Sequence, residues 1–244
     1  MKIYFLTGEF APEFGGGIGT YVENCAKMFA KAGDEVTVIV RGNNPTHIEE
    51  TKEGYRVLRF KQEGKEYYRY LGYENALAYQ YYEETMALIE KEGKPDIIEV
   101  QEYNAIGQYL IQNKYLLNPI LRQIPIVVHL HTPSFETLRI NQFNRYELPF
   151  YWTGEMEKFC IKGADALLCP SQFLADILQP MTDTSIQVIN LPFDIEQEAI
   201  DKYKDAITKP EKKTLLYFGR TEYRKGVVQM LKQADILWEK GLDF

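Results

Sequence analysis

The feature that most constrains this chain is a repeated alternation. Short apolar runs rich in Ile, Val and Leu, at residues 3–7, 36–40, 55–60, 96–100, 125–131, 166–169 and 186–189, are separated by segments whose apolar residues recur at helical spacing. A strand buried on both faces reads as a continuous hydrophobic run, and a helical crossover returns the chain to pair in parallel. The alternation therefore predicts an α/β fold: a doubly wound, Rossmann-like parallel sheet covered by helices. Ile18, Tyr21, Val22, Cys25, Met28 and Phe29 mark the first helix, which Gly33 closes. Further helices are expected over residues 75–92, 105–112, 148–161 and from a Ser171 cap to residue 178.

The pattern shifts after residue 194. A charged, helix-like stretch ends in Lys209-Pro210-Glu211-Lys212-Lys213, which reads as a hinge. The predicted organisation is a first domain over residues 1–194, a linker helix or hinge over 195–213, and a strand–helix unit over 214–244. That last unit combines a strand at 215–218 with a helix at 227–239. One strand and one helix cannot form a core, so it is expected to open an incomplete second domain. Apolar surface on this tail and around Trp238 would pack on the first domain or drive self-association.

Composition excludes several classes. The net charge of −7 argues against a nucleic-acid partner, although it does not forbid a local basic pocket. Cys25, Cys160 and Cys169 form no CxxC pair, which disfavours a disulfide framework or zinc site and fits a reducing, cytoplasmic compartment. The apolar run at the N-terminus is too short for a signal peptide, and none approaches the ~20 residues needed to span a bilayer. Tyrosines cluster over residues 67–82. They read as a half-buried helix with ring edges toward water, or as a platform for a sugar or partner.

Three places carry chemistry. The loop from Gly8 to Thr20 joins the first strand to the first helix and contains Gly15-Gly16-Gly17-Ile18-Gly19. Consecutive glycines let backbone N–H groups approach an anion at a helix start, with a flexible loop tip as the alternative. The spacing is neither GxGxxG nor a Walker loop. His131 ends the strand that carries His129, and the two should share a face. A satisfied structural role is the main alternative for His129, and a metal pair lacks a third ligand at matching spacing. Arg220 and Lys225 follow the 215–218 run and precede Gly226 and a helix, where cations can hold a departing diphosphate. Glu99 and Glu102 end a strand at the same cleft, and Glu102 is either an acceptor-side contact or a surface charge. Asp194 reads as a helix cap.

The ordered set resembles the family-4-type glycosyltransferases of the GT-B fold. The resemblance rests on Gly15 to Gly19 before a helix, then Gly33-Asp34-Glu35-Val36, and the strand ending at His131-Thr132. It continues through Ala164-Asp165-Ala166-Leu167-Leu168-Cys169-Pro170-Ser171, then residues 188–194, and Gly219-Arg220 to Lys225-Gly226. It implies two Rossmann-like domains facing a cleft, with the acceptor on the first and a nucleotide-sugar on the second. It also implies transfer without a metal or other cofactor and with retention at the anomeric carbon. Arg220 and Lys225 would hold the donor diphosphate, backbone amides around Gly16 and Gly17 would assist, and His131 would lie at the reaction centre. A UDP- or GDP-sugar donor and a sugar, lipid-linked or polysaccharide acceptor are implied, as is a possible peripheral position at the inner face of a membrane. Leu191-Pro192-Phe193-Asp194 replaces the family's Asn-Gly turn, and the family's second-domain acidic motif, Glu-x7-Glu, is expected to fall beyond Phe244. Glu13-Phe14 stands where glycogen synthases carry a Lys-containing loop, which argues against a starch or glycogen synthase. The expectation is a retaining glycosyltransferase whose present length leaves it inactive or nearly so. The alternative is a non-catalytic module of the same fold that binds or assembles with a partner chain.

Overall fold

The computed structural model describes residues 1–43, 47–193, 197–204 and 214–241. Among these, the apolar runs become eight strands of one sheet: β1 Lys2–Thr7, β2 Glu35–Gly42, β3 Ile48–Lys52, β4 Tyr55–Lys61, β5 Ile97–Gln101, β6 Ile126–His129, β7 Ala166–Cys169 and β8 Ile186–Val188. Their order is β3-β4-β2-β1-β5-β6-β7-β8. Every neighbouring pair is parallel except β3 with β4. Helices α1 Gly17–Lys31, α2 Tyr73–Glu92, α3 Gln108–Tyr115, α4 Ser134–Ile140, α5 Phe150–Gly163 and α6 Gln172–Leu178 supply the crossovers.

Side-chain alternation along β1 shows both faces buried. Ile3 and Phe5 pack with Tyr21, Val22, Cys25 and Ala26 of α1, while Tyr4 and Leu6 join the opposite core with Leu77, Tyr81 and Ile98. The edge strand β3 was not foreseen. Its sequence, Ile-Glu-Glu-Thr-Lys, has one apolar residue, so it lacks the signal of a buried strand. The hairpin forms because Glu53 and Gly54 both take positive φ, 43° and 89°, as a two-residue turn of matching twist requires. The charged side chains of this edge deter further pairing.

The chain divides into two compact units. One comprises Met1–Glu136 and Arg145–Phe193, which contain the whole sheet. The other comprises Thr137–Asn144 and Asp194–Phe244, with helices α7 Gln197–Lys204 and α8 Val227–Glu239. The strand expected at 215–218 does not form among the described residues, and Phe218 is 96 % exposed. A strand exists only through its ladder, and no described segment offers this run a neighbour. Of the expected linker over 195–213, residues 197–204 are helical, while 195–196 and 205–213 lie outside the described residues, as does Asp194. No described helix is long and apolar enough to cross a membrane.

One buried side chain ties a helix to the strand ends. The Tyr81 hydroxyl of α2 donates to Thr7 O (2.6 Å) and accepts from Arg41 N–H (3.1 Å), beside the Phe60 ring. Tyr81→Phe leaves both backbone groups without a partner in a dry site. It is expected to lower the unfolding free energy by about 1–3 kcal/mol, read from urea denaturation.

Candidate active site

In a doubly wound sheet, the crevice opens where strand order reverses. Here that point lies between β1 and β5, because the chain runs from β1 toward β2 and β4 and only later enters β5 on the other side. Gln101, at the end of β5, fixes the two lips. Its Oε1 accepts from Thr7 Oγ1 and Gly8 N–H, both at 3.0 Å, and its Nε2 donates to Tyr103 O at 3.0 Å. A cavity of ≈ 380 Å³ opens there, lined by Glu9, Glu13, Arg41, Glu74, Gln101 and Asn104, among others. The Arg41 guanidinium donates to the Tyr73 hydroxyl and lies 4.3 Å from the Phe14 ring centre. Burial raises the Glu74 carboxyl, against the pull of Arg41, and its Oε2 is buried with no hydrogen-bond partner among the described residues.

The glycine loop is held rather than loose. The buried Arg59 donates to the carbonyls of Phe10 and Ala11 from behind. A Cβ at Gly16 would fall 1.9 Å from Glu9 Oε2, and one at Gly19 would fall 2.8 Å from Glu9 O. These two glycines therefore admit residue 9 against the start of α1. Gly17 has nothing within 4 Å of its Cβ position. The anion expected at this helix start would meet the Glu9 carboxylate beside Gly16.

His129 and His131 do share a face, with His129 Nδ1 3.1 Å from His131 Nε2. The Tyr21 ring packs against both, at centroid distances of 4.2 and 5.1 Å, and its hydroxyl donates to Glu99 Oε1 at 2.6 Å. Burial pushes the His129 imidazole down to about 4. Burial, with His129 alongside, pushes His131 down to about 3. Both rings are thus neutral near pH 7, and one donates to the other. Burial also pushes the Glu99 carboxyl up to about 7, opposed by the Tyr21 hydrogen bond.

Two further carboxyls shape the turn after β6. Glu102 Oε1 accepts from the N–H groups of His131 and Thr132, both at 2.7 Å. Glu157 of α5 accepts from Ser134 N–H (3.0 Å), Ser134 Oγ (2.8 Å), Phe135 N–H (3.4 Å) and Asn104 N–H (3.0 Å). Between them, Thr132 holds φ 130°, a costly conformation for a β-branched residue. Glu102 has no exposed surface, so neither an acceptor-side contact nor a surface charge describes it as placed. It ends its strand as expected but turns inward, because unpaired backbone donors at 131 and 132 need an acceptor. Burial pushes it up to about 8, and burial pushes Glu157 up to about 7 against its several donors.

Arg220 and Lys225 belong to the second unit. Arg220 is 66 % exposed and pairs loosely with Glu222, at 3.6 Å. Glu222 binds Arg224 Nε more closely, at 2.7 Å, and this bond is the main cause of its lowered carboxyl pKa. Arg224 N–H donates to Asn141 Oδ1 at 3.1 Å. Lys225 ends a short 3-10 turn, and Gly226, at φ 73°, starts α8. Sequence reasoning missed Glu222 and Arg224 here, and Tyr21, Gln101, Arg41, Glu74 and Glu157 in the first unit.

Residues 15–197 match the family described as Glycosyltransferase Family 4. No curated protein matches the chain. Sucrose-phosphate synthase from Thermosynechococcus elongatus superposes with a TM-score of 0.65 at 15 % identity, covering 95 % of this chain and 59 % of that one. The catalytic domain of starch synthase IV from Arabidopsis thaliana, bound to ADP and acarbose, gives 0.52 at 15 % identity, covering 97 % and 59 %. LpCGTa in complex with UDP gives 0.51 at 9 % identity, covering 82 % and 56 %. The chain thus spans less than two thirds of each, and the likeness is one of fold.

The buried Glu102 gives a pH signature. Its folded carboxyl is raised from 4.5 to about 8, so the fold holds a proton that the unfolded chain releases. That contribution to stability is complete below pH 4.5 and is lost as pH rises through about 8. Glu102→Gln is expected to flatten the fall in stability across this window by up to about 1.4 kcal/mol per pH unit, measured by urea titrations at several pH values.

Proposed function

The chain belongs to Glycosyltransferase Family 4, and from that membership we propose that it serves retaining transfer of a sugar from a nucleotide-sugar to an acceptor hydroxyl. The observation that carries this reading is a family match over residues 15–197, a span that holds Arg41, Glu74, Gln101 and Asn104 of the switch-point cavity and the neutral His131 turn. In the proposed reaction the bond from the anomeric carbon to the diphosphate oxygen breaks, and the acceptor oxygen bonds to that carbon on the same face. The acceptor proton passes to the departing phosphate. Such a step needs charge stabilisation on the leaving group more than a strong side-chain base. Arg220 and Lys225 of the second unit are assigned that role. A neutral His131 can hydrogen-bond a sugar hydroxyl without placing a charge beside the anomeric centre. No metal is assigned. The buried free thiols of Cys25, Cys160 and Cys169 support a reducing, cytoplasmic setting.

A second reading draws on two specific observations. Glu9 stands beside Gly16, and Glu222 stands between Arg220 and Arg224. Both carboxylates oppose a bound diphosphate, which favours a non-catalytic module of the same fold acting with a partner chain.

Thermal shift separates the two. UDP- or GDP-sugars in large excess over their Kd are expected to raise the Tm, equivalent to about 2.7 kcal/mol at 100-fold excess. Arg220→Ala should abolish the shift, and EDTA should leave it intact. Absence of a shift with every nucleotide-sugar would sink the donor assignment and leave the module reading.

A further inference from the structure

A second cavity, of ≈ 800 Å³, lies next to the first and is lined by Tyr70, Asn75, Gln108, Trp152, Met156 and Phe159, among others. Tyr73 and Glu74 line both cavities, so the two meet at the start of α2. The combined groove has walls and a floor of different chemistry. Its walls are aromatic and open: Tyr70 is 75 % exposed and Trp152 60 %. Its floor contains Glu74 Oε2 and Gln108 Oε1, both buried and without a hydrogen-bond partner among the described residues.

An unpaired buried acceptor is costly, and it is satisfied only by a donor. Two such acceptors in one groove call for a ligand that brings several O–H groups. An alkyl chain brings none. A phosphate brings further negative charge to a cavity lined by Glu9, Glu13 and Glu74 as well as Arg41. Rings exposed on the rim suit the apolar C–H faces of pyranose units. The volume of each cavity falls in the range of small-molecule sites.

We propose that the groove is a glycan subsite for an uncharged oligosaccharide acceptor, with one sugar in the switch-point cavity and at least one more against Tyr70 and Trp152. This rests on the transferase reading only for the word acceptor. Glu74 and Gln108 accept hydrogen bonds from the glycan's hydroxyls, and the aromatic rim selects length.

The test uses the whole chain. A glycan array would be probed first, followed by calorimetric titration of the best trisaccharide and its component monosaccharide. Octyl glucoside and glucose 6-phosphate would serve as lipid-like and anionic comparisons. The expected result is a neutral trisaccharide bound at least about ten-fold more tightly than its monosaccharide and than either comparison ligand. Trp152→Ala and Gln108→Leu should each weaken the trisaccharide by about ten-fold. Because Trp152 is largely exposed, its replacement should leave the Tm unchanged. No bound glycan, equal affinity for monosaccharide and trisaccharide, or preference for octyl glucoside or glucose 6-phosphate would overturn the proposal. A nucleotide-sugar shift without glycan binding would overturn this inference alone. Glycan binding without any nucleotide shift would uphold the groove and remove the transferase reading.

Discussion

The cleft depends on two buried glutamates that hold the turn after β6. Glu102 and Glu157 together accept from the N–H groups of His131, Thr132, Ser134 and Phe135. Without them, four backbone donors would be stranded in a dry region, each costing about as much as a lost hydrogen bond. Thr132 could not keep φ 130° unless its neighbours were fixed on both sides. Glu157 also accepts from Asn104, where the chain takes two successive left-handed residues, Asn104 at φ 59° and Ala105 at φ 50°. One carboxyl therefore joins the loop after β5 to the turn after β6. His131 stands where it does because of these two side chains.

The cost of this arrangement is electrostatic. Burial raises both carboxyls, each by its own desolvation, and the neighbouring Glu157 adds to the rise at Glu102. Such groups persist where hydrogen bonds return most of what desolvation takes. The other lip of the cleft uses two neutral anchors and one cation instead. Gln101 and the Tyr81 hydroxyl bind the backbone of Thr7, Gly8 and Arg41, and Arg59 grips the carbonyls of the glycine loop. The crevice is thus built from polar groups aimed at backbone, which sets the strand ends before any ligand arrives.

Most of the sheet was legible because its signal is local. The parallel strands are short apolar runs, and their periodicity needs no knowledge of what lies far away. Strand β3 was not legible, because a charged edge strand is specified by its hairpin turn and its partner rather than by its own residues. The 215–218 run failed the other way: it has the composition of a strand but no ladder among the described residues. At the site, topology placed His129 and the glycine loop at strand ends, whereas β6 stops at His129 and His131 lies in the turn beyond it. The role of Glu102 did not, since its partners lie 29 and 30 residues away and only the folded turn makes them donors. Glu157 sits mid-helix in α5, where a charged residue ordinarily faces water, and nothing in its neighbours announces a buried acceptor. Gly16 and Gly19 were legible as special but not for what they accommodate, which is the chain at residue 9.

The charges of the two units point to different tasks. In the first unit, the two histidines are held neutral and the cavity is lined by Glu9, Glu13 and Glu74 against Arg41. Under the proposed reading that surface takes hydroxyls rather than phosphates, since a dianion there would meet carboxylates at short range in a poorly screened crevice. In the second unit, Arg220, Arg224 and Lys225 fall within six residues around Glu222, and the proposed diphosphate contact is assigned there. Glu222 binds Arg224 closely, and its hold on the exposed Arg220 is weak. Exchange of that contact for a phosphate oxygen would therefore cost little. The proposed division, with hydroxyl recognition on the sheet-bearing unit and anion stabilisation on the other, follows from where each sign of charge is fixed.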